Sequence, residues 1–121
     1  MPDPLIQVID DDESSLQSLA GLLRTFGFET RTYASAEAFI QAGAADAPCC
    51  IITDIHMPGL SGIELKRWLD ERASAVPVIM ITARSEPRLL AQARASGAVS
   101  LLKKPFDAAA LLACLQKAEI A

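Results

Sequence analysis

Four short apolar runs each end on a charged or hydroxyl-bearing residue, and this pattern constrains the fold more than any other. The runs and the residues that end them are 6–9 before Asp10, 51–53 before Asp54, 78–81 before Thr82, and 101–102 before Lys103 and Lys104. If the runs are parallel strands, their carboxyl ends meet at the edge where open parallel sheets bind ligands. Carboxylates, a hydroxyl and an ammonium would then lie together, and such a set can hold a divalent cation and a phosphoryl group.

The segments between these runs have helical periodicity, and one further run alternates as a less buried strand does. We predict strands at 6–9, 28–33, 49–53, 78–81 and 99–102, and helices at 13–26, 35–42, 63–72, 87–95 and 108–119. Predicted helix caps are Asp12 or Ser14, Ser35 and Asp107. Strict alternation of strand and helix predicts an α/β domain with a parallel sheet between helices. The length of 121 residues suits a single domain, 1–121.

Composition excludes several classes of protein. Half of the residues are apolar (51%) and 21% are charged, which is typical of a globular chain. The net charge of −4 argues against direct binding of nucleic acid. No apolar run is long enough to span a bilayer, and no signal peptide opens the sequence, so we expect a cytoplasmic protein without a membrane partner.

The acidic run Asp10-Asp11-Asp12-Glu13 has two interpretations. Acids are common in solvated turns and favourable at the start of a helix. Alternatively, carboxylates that converge need a cation to offset their repulsion, and magnesium prefers oxygen ligands. The run by itself does not decide between them.

The other three strand ends are equally ambiguous when each is taken alone. Asp54 could be a turn residue, or both a metal ligand and a nucleophile that forms an aspartyl phosphate. Thr82 is an ordinary strand residue unless its hydroxyl reaches a phosphoryl oxygen. Either Lys103 or Lys104 could supply a cation, but successive strand residues point to opposite faces, so only one can face the site.

The cysteines and the single histidine carry weaker signals. Cys49, Cys50 and Cys114 lack the spacing of a metal site, and we expect reduced core residues, with a redox switch as the alternative. His56 has no nucleophile elbow near it that would make a Ser-His-Asp triad, so we expect a loop residue.

Taken together, these motifs give the chain a close resemblance to the receiver domains of two-component response regulators. The similar stretches are 8–12 (VIDDD), 53–62 (TDIHMPGLSG), 81–83 (ITA) and 97–106 (GAVSLLKKPF). The stretches 53–62 and 35–39 (SAEAF) most resemble FixJ/LuxR-type regulators, in which the receiver precedes a DNA-binding domain. The resemblance implies a flavodoxin-like (βα)5 three-layer sandwich with sheet order 2-1-3-4-5.

The resemblance also implies a role for each residue at the strand ends. Asp54 is the phosphoacceptor. Asp11, Asp54 and the backbone carbonyl of His56 would bind Mg²⁺ or Mn²⁺ directly, and Asp10 would bind it through a water. Thr82 and the amide of Ala83 would receive phosphoryl oxygens.

In such domains a lysine followed by a cis-proline pairs with the phosphoryl group, which here implies Lys104 and Pro105. The side chains of His56 and Arg84 would tune the access of water, and so set the lifetime of the phosphorylated state. At one position the chain departs from the family, because Leu101 stands where receivers usually carry Tyr or Phe. In the family that aromatic couples phosphorylation to the output face, so here the coupling is either weakened or runs by backbone and loop shifts instead.

The implied partners are a sensor histidine kinase or phosphotransfer protein, an output DNA-binding domain after this segment, and a second copy in a phosphorylation-dependent homodimer. Two alternatives remain open from the residues alone. One is a phosphorylation-independent interaction module, which Leu101 leaves open. The other is a small Mg²⁺-dependent aspartyl-phosphate phosphatase, since the spacing of Asp10 and Asp12 faintly resembles the opening motif of that class of enzyme.

Overall fold

The computed structural model describes residues 4–43 and 50–119, and in these segments five strands alternate with five helices. In chain order they are β1 (Leu5–Ile9), α1 (Glu13–Thr25), β2 (Glu29–Tyr33), α2 (Ala36–Gln41), β3 (Cys50–Asp54), α3 (Gly62–Glu71), β4 (Val78–Thr82), α4 (Pro87–Ala95), β5 (Ser100–Lys103) and α5 (Ala108–Lys117). All described strand pairs are parallel, and the sheet order is β2-β1-β3-β4-β5. The predicted fold and sheet order are confirmed.

The sheet is buried most deeply at its centre. Every residue of β3 and β4 is buried, whereas β2 at one edge is half-exposed. Continuous burial explains why the two central strands have unbroken apolar sequences, because helices cover both of their faces. The predicted alternation of β2 likewise matches its position at an edge.

Two hydrophobic layers flank the sheet and complete the three-layer sandwich. One layer packs α1 and α5 on the sheet, and its helical residues include Leu16, Leu19, Leu23, Leu111 and Leu115. The other packs α2, α3 and α4, with Ala36, Phe39, Leu65, Leu69 and Ala93. Fully burying one large aliphatic side chain stabilises a fold by about 1.5–3 kcal/mol, so these layers dominate the stability.

Several element ends differ from the sequence prediction by one or two residues. β3 runs one residue further than predicted, so that Asp54 is the last residue of the strand rather than the first residue after it. β5 is shifted one residue towards the carboxyl end, and α5 ends at Lys117 instead of 119. Hydrogen bonds to neighbouring strands set the ends of a strand, and the residue pattern of a single strand does not reveal these bonds. Residue Cys49, predicted to start β3, lies outside the described residues.

The helix caps of α1, α2 and α5 are residues that the sequence predicted. Asp12 caps α1 by accepting from the amides of Ser14 and Ser15, which settles the choice between Asp12 and Ser14. Ser35 caps α2 and Asp107 caps α5. Each cap satisfies an amide that the helix itself leaves without a partner.

The start of α3 contains a capping motif that was not predicted from the sequence. Ser61 and Glu64 form a capping box, in which the Ser61 hydroxyl accepts from the Glu64 amide at 3.1 Å and the Glu64 carboxylate accepts from the Ser61 amide at 3.0 Å. The amide of Gly62 donates to the Ile55 carbonyl at 3.0 Å. These bonds hold the first turn of α3 against the end of β3, and the Ser-x-x-Glu spacing was a readable signal for them.

No helix in segments 4–43 and 50–119 combines the length and the apolar character that a membrane crossing requires.

The close approach of α3 to β3 requires glycine at position 62. A Cβ there would lie inside van der Waals contact of the Asp54 carbonyl oxygen and 3.1 Å from the Asp54 carbonyl carbon. We expect Gly62→Ala to lower the free energy of unfolding by about 1–3 kcal/mol, because backbone atoms cannot yield as a side chain can. Urea unfolding followed by circular dichroism measures this loss.

Gly21→Ala is the matched control for that substitution. Gly21 lies within α1, and a Cβ there would meet no atom within 4 Å. Alanine favours a helix over glycine by about 1 kcal/mol, so this variant should be equally stable or more stable. Equal stability of the Gly62→Ala variant and the wild type would show that α3 does not need its close approach to β3.

Candidate functional site

The predicted site residues meet at the carboxyl edge of the sheet. Asp10 directly follows β1, Asp54 and Thr82 end β3 and β4, and Lys104 directly follows β5. Strand register brings them together, since Asp54 pairs with Ile81, the residue before Thr82. The strands therefore carry two carboxylates, a hydroxyl and an ammonium to one place, although these residues are far apart in the sequence.

Three carboxylates form a cluster at this edge. Each of Asp10, Asp11 and Asp54 offers an oxygen, and these oxygens lie within 4.8 Å of one another. Asp10 and Asp54 are only 2% and 8% exposed, whereas Asp11 is exposed. One oxygen of Asp10 accepts from the amide of Asp12 at 2.9 Å, which fixes its carboxylate at the top of β1.

Crowding of these acids changes the acidity of Asp54. Burial, aided by the negative charges of Asp10 and Asp11, raises the pKa of Asp54 from 3.8 to about 6. The positive charge of Lys104 and a hydrogen bond from the Ile55 amide oppose this shift without cancelling it. The negative charge of Asp54 is therefore costly, and an added cation would relieve that cost.

Lys104 supplies the positive charge of the site. Its Nζ donates to Asp10 Oδ2 at 2.9 Å and to the hydroxyl of Ser15 at 3.4 Å. Burial by itself would lower the pKa of Lys104, but the hydrogen bond to Asp10 and the charges of Asp54, Asp10 and Asp12 outweigh it and raise the pKa.

Of the two adjacent lysines, Lys104 is the one that reaches the acids, while Lys103 is exposed. The bond between Lys104 and Pro105 is cis.

The hydroxyl of Thr82 is engaged away from the acids. Thr82 is fully buried, and its Oγ1 accepts from the Arg84 amide at 3.0 Å and lies 3.3 Å from the Arg84 carbonyl oxygen, to which it donates. These two bonds close the turn that follows β4. A ligand that accepts a hydrogen bond from the Thr82 hydroxyl must break the bond that this hydroxyl donates to the Arg84 carbonyl, and this couples the site to the β4–α4 loop.

Two grooves adjoin the acids. The first, of about 630 Å³, lies beside α1 and is lined by Asp10, Ser15, Ala83, Lys104 and Phe106 among others. Ala83 is an exposed residue of this groove. The groove gives a partner molecule access to the site from the α1 side.

The second groove, of about 920 Å³, runs between α3 and α4. Asp11, His56 and Arg84 line its end nearest the acids. The Nε2 atom of His56 is buried and makes no hydrogen bond to any residue in 4–43 or 50–119. Arg84 is 59% exposed in its side chain and forms a 3.6 Å ion pair with Glu86.

Leu101 lies apart from the acids. It is half-buried and packs against the hydrophobic layer of α2, α3 and α4. It pairs in register with Met80 on β4, two residues before Thr82. Leu101 can therefore respond to movement at the end of β4 without touching the site.

Glu37 is a further residue near the site that the sequence analysis did not assign. Its carboxylate accepts from the Leu60 amide at 3.2 Å and thereby ties α2 to the loop that carries His56. A side chain on Gly59, which has a φ of +78°, would collide with Glu37. No local pattern signals this contact, since the partners are 23 residues apart.

Of the three cysteines, Cys50 and Cys114 are buried in the structure, as expected of core residues. The thiol of Cys114 lies 3.4 Å from the hydroxyl of Ser100. Cys49 falls outside the described residues.

Comparisons with known proteins agree with the geometry. A family model described as "Response regulator receiver domain" matches residues 6–116. The transcriptional regulatory protein FixJ of Azorhizobium caulinodans is 41% identical over 117 residues, which cover 96% of this chain and 56% of FixJ. The chain thus spans just over half the length of that relative.

Solved structures give the same result for the fold. The crystal structure of FixJ-N superimposes with a TM-score of 0.88 at 32% identity, covering 98% of this chain and 94% of that one. The chemotaxis protein CheY4 of Vibrio cholerae superimposes with a TM-score of 0.86 at 26% identity, covering 96% and 98% of the two chains.

The raised pKa of Asp54 predicts a pH dependence of stability in the metal-free protein. Because the folded value of about 6 lies above the ordinary 3.8, protonated Asp54 favours the folded state at low pH. That stability is lost as the pH rises from about 4 to about 6, and the loss amounts to about 3 kcal/mol. We expect urea unfolding in EDTA to show it as a difference between wild type and Asp54→Asn, which has no charge to titrate.

Saturating Mg²⁺ provides the control for this titration. A cation beside Asp54 should lower its pKa and flatten the pH dependence between 4 and 6. A constant difference between wild type and variant across this range in EDTA would contradict the raised pKa.

Proposed function

Because the chain belongs to the response regulator receiver domain family, we propose that Asp54 accepts a phosphoryl group from a partner protein and thereby switches the conformation of the domain. One observation carries the proposal for these residues. A nearly buried carboxylate, two further acids, a paired lysine and a threonine converge at one sheet edge. This set matches the needs of phosphoryl transfer to a carboxylate, namely a nucleophile, a cation site and groups that stabilise the phosphoryl oxygens.

Residues at the edge fit a divalent cation. Asp10, Asp11 and Asp54 provide hard oxygen donors within 4.8 Å of one another, and burial, aided by the charges of Asp10 and Asp11, raises the pKa of Asp54. Oxygen-rich sites of this kind suit Mg²⁺ or Mn²⁺. Asp11 and Asp54, with the carbonyl of His56, would hold the ion directly, and Asp10 through a water. Bound there, the cation would supply charge neutralisation between the phosphoryl group and the Asp54 carboxylate.

In the transfer step a carboxylate oxygen of Asp54 attacks phosphorus while the bond from phosphorus to the donor breaks. When the donor is a phosphohistidine, a P–N bond breaks, a P–O bond forms, and the imidazole leaves with the electron pair and takes up a proton. The ammonium of Lys104 and the amide of Ala83 would stabilise the phosphoryl oxygens. Little covalent chemistry falls to the protein, so positioning and charge account for most of the catalysis.

Thr82 supplies the switch in this proposal. Its hydroxyl is engaged with the backbone of Arg84, and a phosphoryl oxygen on Asp54 would compete for it. Moving the hydroxyl to the phosphoryl group releases the turn after β4. The acyl phosphate then favours a second arrangement of the β4–α4 loop by its differential contacts.

Leu101 affects how the movement of the β4–α4 loop would be transmitted to the output face. A leucine in the half-buried position beside Met80 can change rotamer, but it has no ring or hydroxyl with which to signal its position. We therefore propose that backbone and loop shifts of α4 and β5 carry the response.

The family, and the greater length of the relatives, indicate the classes of partner that we propose. We propose that a sensor histidine kinase or phosphotransfer protein is the donor, and that a DNA-binding domain is the output, as in the transcriptional regulators that the chain matches. A phosphorylation-dependent homodimer through α4, β5 and α5 remains our proposal for the readout.

The two alternatives from the sequence now differ in support. Family membership and a receiver fold across residues 6–116 identify a regulatory domain, so the phosphatase interpretation is wrong. The phosphorylation-independent interaction module keeps only the substitution at Leu101 in its favour, and the intact acids, threonine and lysine argue against it.

The proposal predicts a specific covalent modification. With Mg²⁺ and phosphoramidate, the protein should gain the mass of one phosphoryl group, and Asp54→Asn should gain none. Intact-protein mass spectrometry measures both. Asp107→Asn is the matched control, because Asn also caps a helix and Asp107 lies at the start of α5. Modification that persists in Asp54→Asn would remove Asp54 from its proposed role.

His56 and Arg84 should control the lifetime of the phosphorylated state. Both line the groove between α3 and α4 beside the acids, and we propose that they obstruct the approach of water there. We expect His56→Ala and Arg84→Ala each to accelerate dephosphorylation by about three-fold, which corresponds to a barrier change of under 1 kcal/mol. The decay of the phosphorylated mass after removal of the donor measures the rate. Arg88→Ala, on the exposed start of α4, should decay like the wild type.

A further inference from the structure

Ser15 contacts the lysine of the site from the first turn of α1. Its Oγ lies 3.4 Å from Lys104 Nζ, although the two residues are 89 positions apart in the chain. Ser15 is half-buried in the groove beside α1, next to Asp10 and Lys104. This hydroxyl is the second protein group bonded to the ammonium, after the carboxylate of Asp10.

The direction of the Ser15 hydroxyl is set by Asp12. Ser15 Oγ donates its single hydrogen to Asp12 Oδ2 at 3.3 Å, so its lone pairs are left to accept from Lys104. Asp12 is itself held in place, because its other oxygen accepts from the amides of Ser14 and Ser15 at 3.0 and 3.4 Å. The acceptor offered to Lys104 is thus anchored at the start of a helix.

The Ser15 hydroxyl does not take part in capping the helix. Asp12 satisfies the free amides at the start of α1 with its own carboxylate. The position is also compatible with alanine, which has the highest helix propensity. Removing the hydroxyl should therefore leave the fold intact and affect chiefly the lysine.

An ammonium has three N–H donors and no acceptor. Asp10 and Ser15 occupy two of the donors of Lys104, and both lie on the β1–α1 side of the site. We propose that Ser15 is a positioning residue for Lys104, which fixes the ammonium by two contacts and leaves its third N–H for a phosphoryl oxygen on Asp54. This inference rests on the proposed function of Asp54 and adds a residue to it.

The role of Ser15 is tested in the full chain with three variants. Ser15→Ala removes the acceptor, Ser15→Thr keeps a hydroxyl, and Ser18→Ala removes an exposed hydroxyl of the same groove. With Mg²⁺ and phosphoramidate, the rate of phosphorylation should fall about ten-fold or more in Ser15→Ala, the effect of losing one hydrogen bond to a charged group. Ser15→Thr should recover most of the rate, and Ser18→Ala should match the wild type.

A second measurement reports on the lysine itself. In the metal-free protein, NMR of the ¹⁵N-labelled ammonium groups should show faster hydrogen exchange with water at Lys104 in Ser15→Ala than in wild type or Ser15→Thr. The affinity for Mg²⁺, from titration calorimetry, should be unchanged in Ser15→Ala, because Ser15 bonds to none of the proposed metal ligands.

The outcomes separate this inference from the function on which it rests. A wild type that acquires no phosphoryl group overturns the proposed function, and the role of Ser15 with it. A wild type that is phosphorylated at Asp54, with a Ser15→Ala variant unchanged in either rate or ammonium exchange, overturns the role of Ser15 alone. A loss of rate in Ser15→Ala that Ser15→Thr does not recover also overturns it.

Discussion

This site depends on one constraint: the negative charge of its carboxylates is compensated only in part by the protein. Parallel pairing of β1 with β3 places Asp10 and Asp54 side by side, and Asp11 completes a set of oxygens within 4.8 Å. One ammonium, that of Lys104, bonds to Asp10. Burying like charges together is costly unless they are paired, protonated or bound to a cation. Burial and these neighbouring charges together raise the pKa of Asp54, and a bound cation would relieve that cost.

Backbone packing, more than side-chain size, holds the acids in this arrangement. Gly62 lets the first turn of α3 approach the carbonyl of Asp54, and the capping box of Ser61 and Glu64 keeps that turn in place. Glu37 anchors the same loop from α2 through the amide of Leu60. Rigid elements thus position the carboxylates, while the loop after β4 depends on two hydrogen bonds of Thr82 and can be released. A stiff site beside a releasable loop is what a switch requires.

Much of this arrangement could be predicted from local sequence. Apolar runs that end on Asp10, Asp54 and Thr82 indicated parallel strands whose ends converge, and the observed order β2-β1-β3-β4-β5 agrees. The periodicity of the helices and the caps at Asp12 and Asp107 were equally visible, because these patterns lie within a few residues. The ends of β3 and β5 were displaced by one residue, since pairing with neighbouring strands sets them. The roles assigned to the site residues stay predictions until chemistry tests them.

The sequence by itself determined the strands, the helices, the family and the kinds of side chain at the sheet edge, because each is encoded in short patterns of residues. Only the tertiary structure decided how those side chains are used. It showed that Lys104 bonds to Asp10 and Ser15, and that the hydroxyl of Thr82 faces the backbone of Arg84. The contacts of Lys104 join residues 94 and 89 positions apart, and which of several acids an ammonium meets depends on packing in three dimensions rather than on neighbours in the chain.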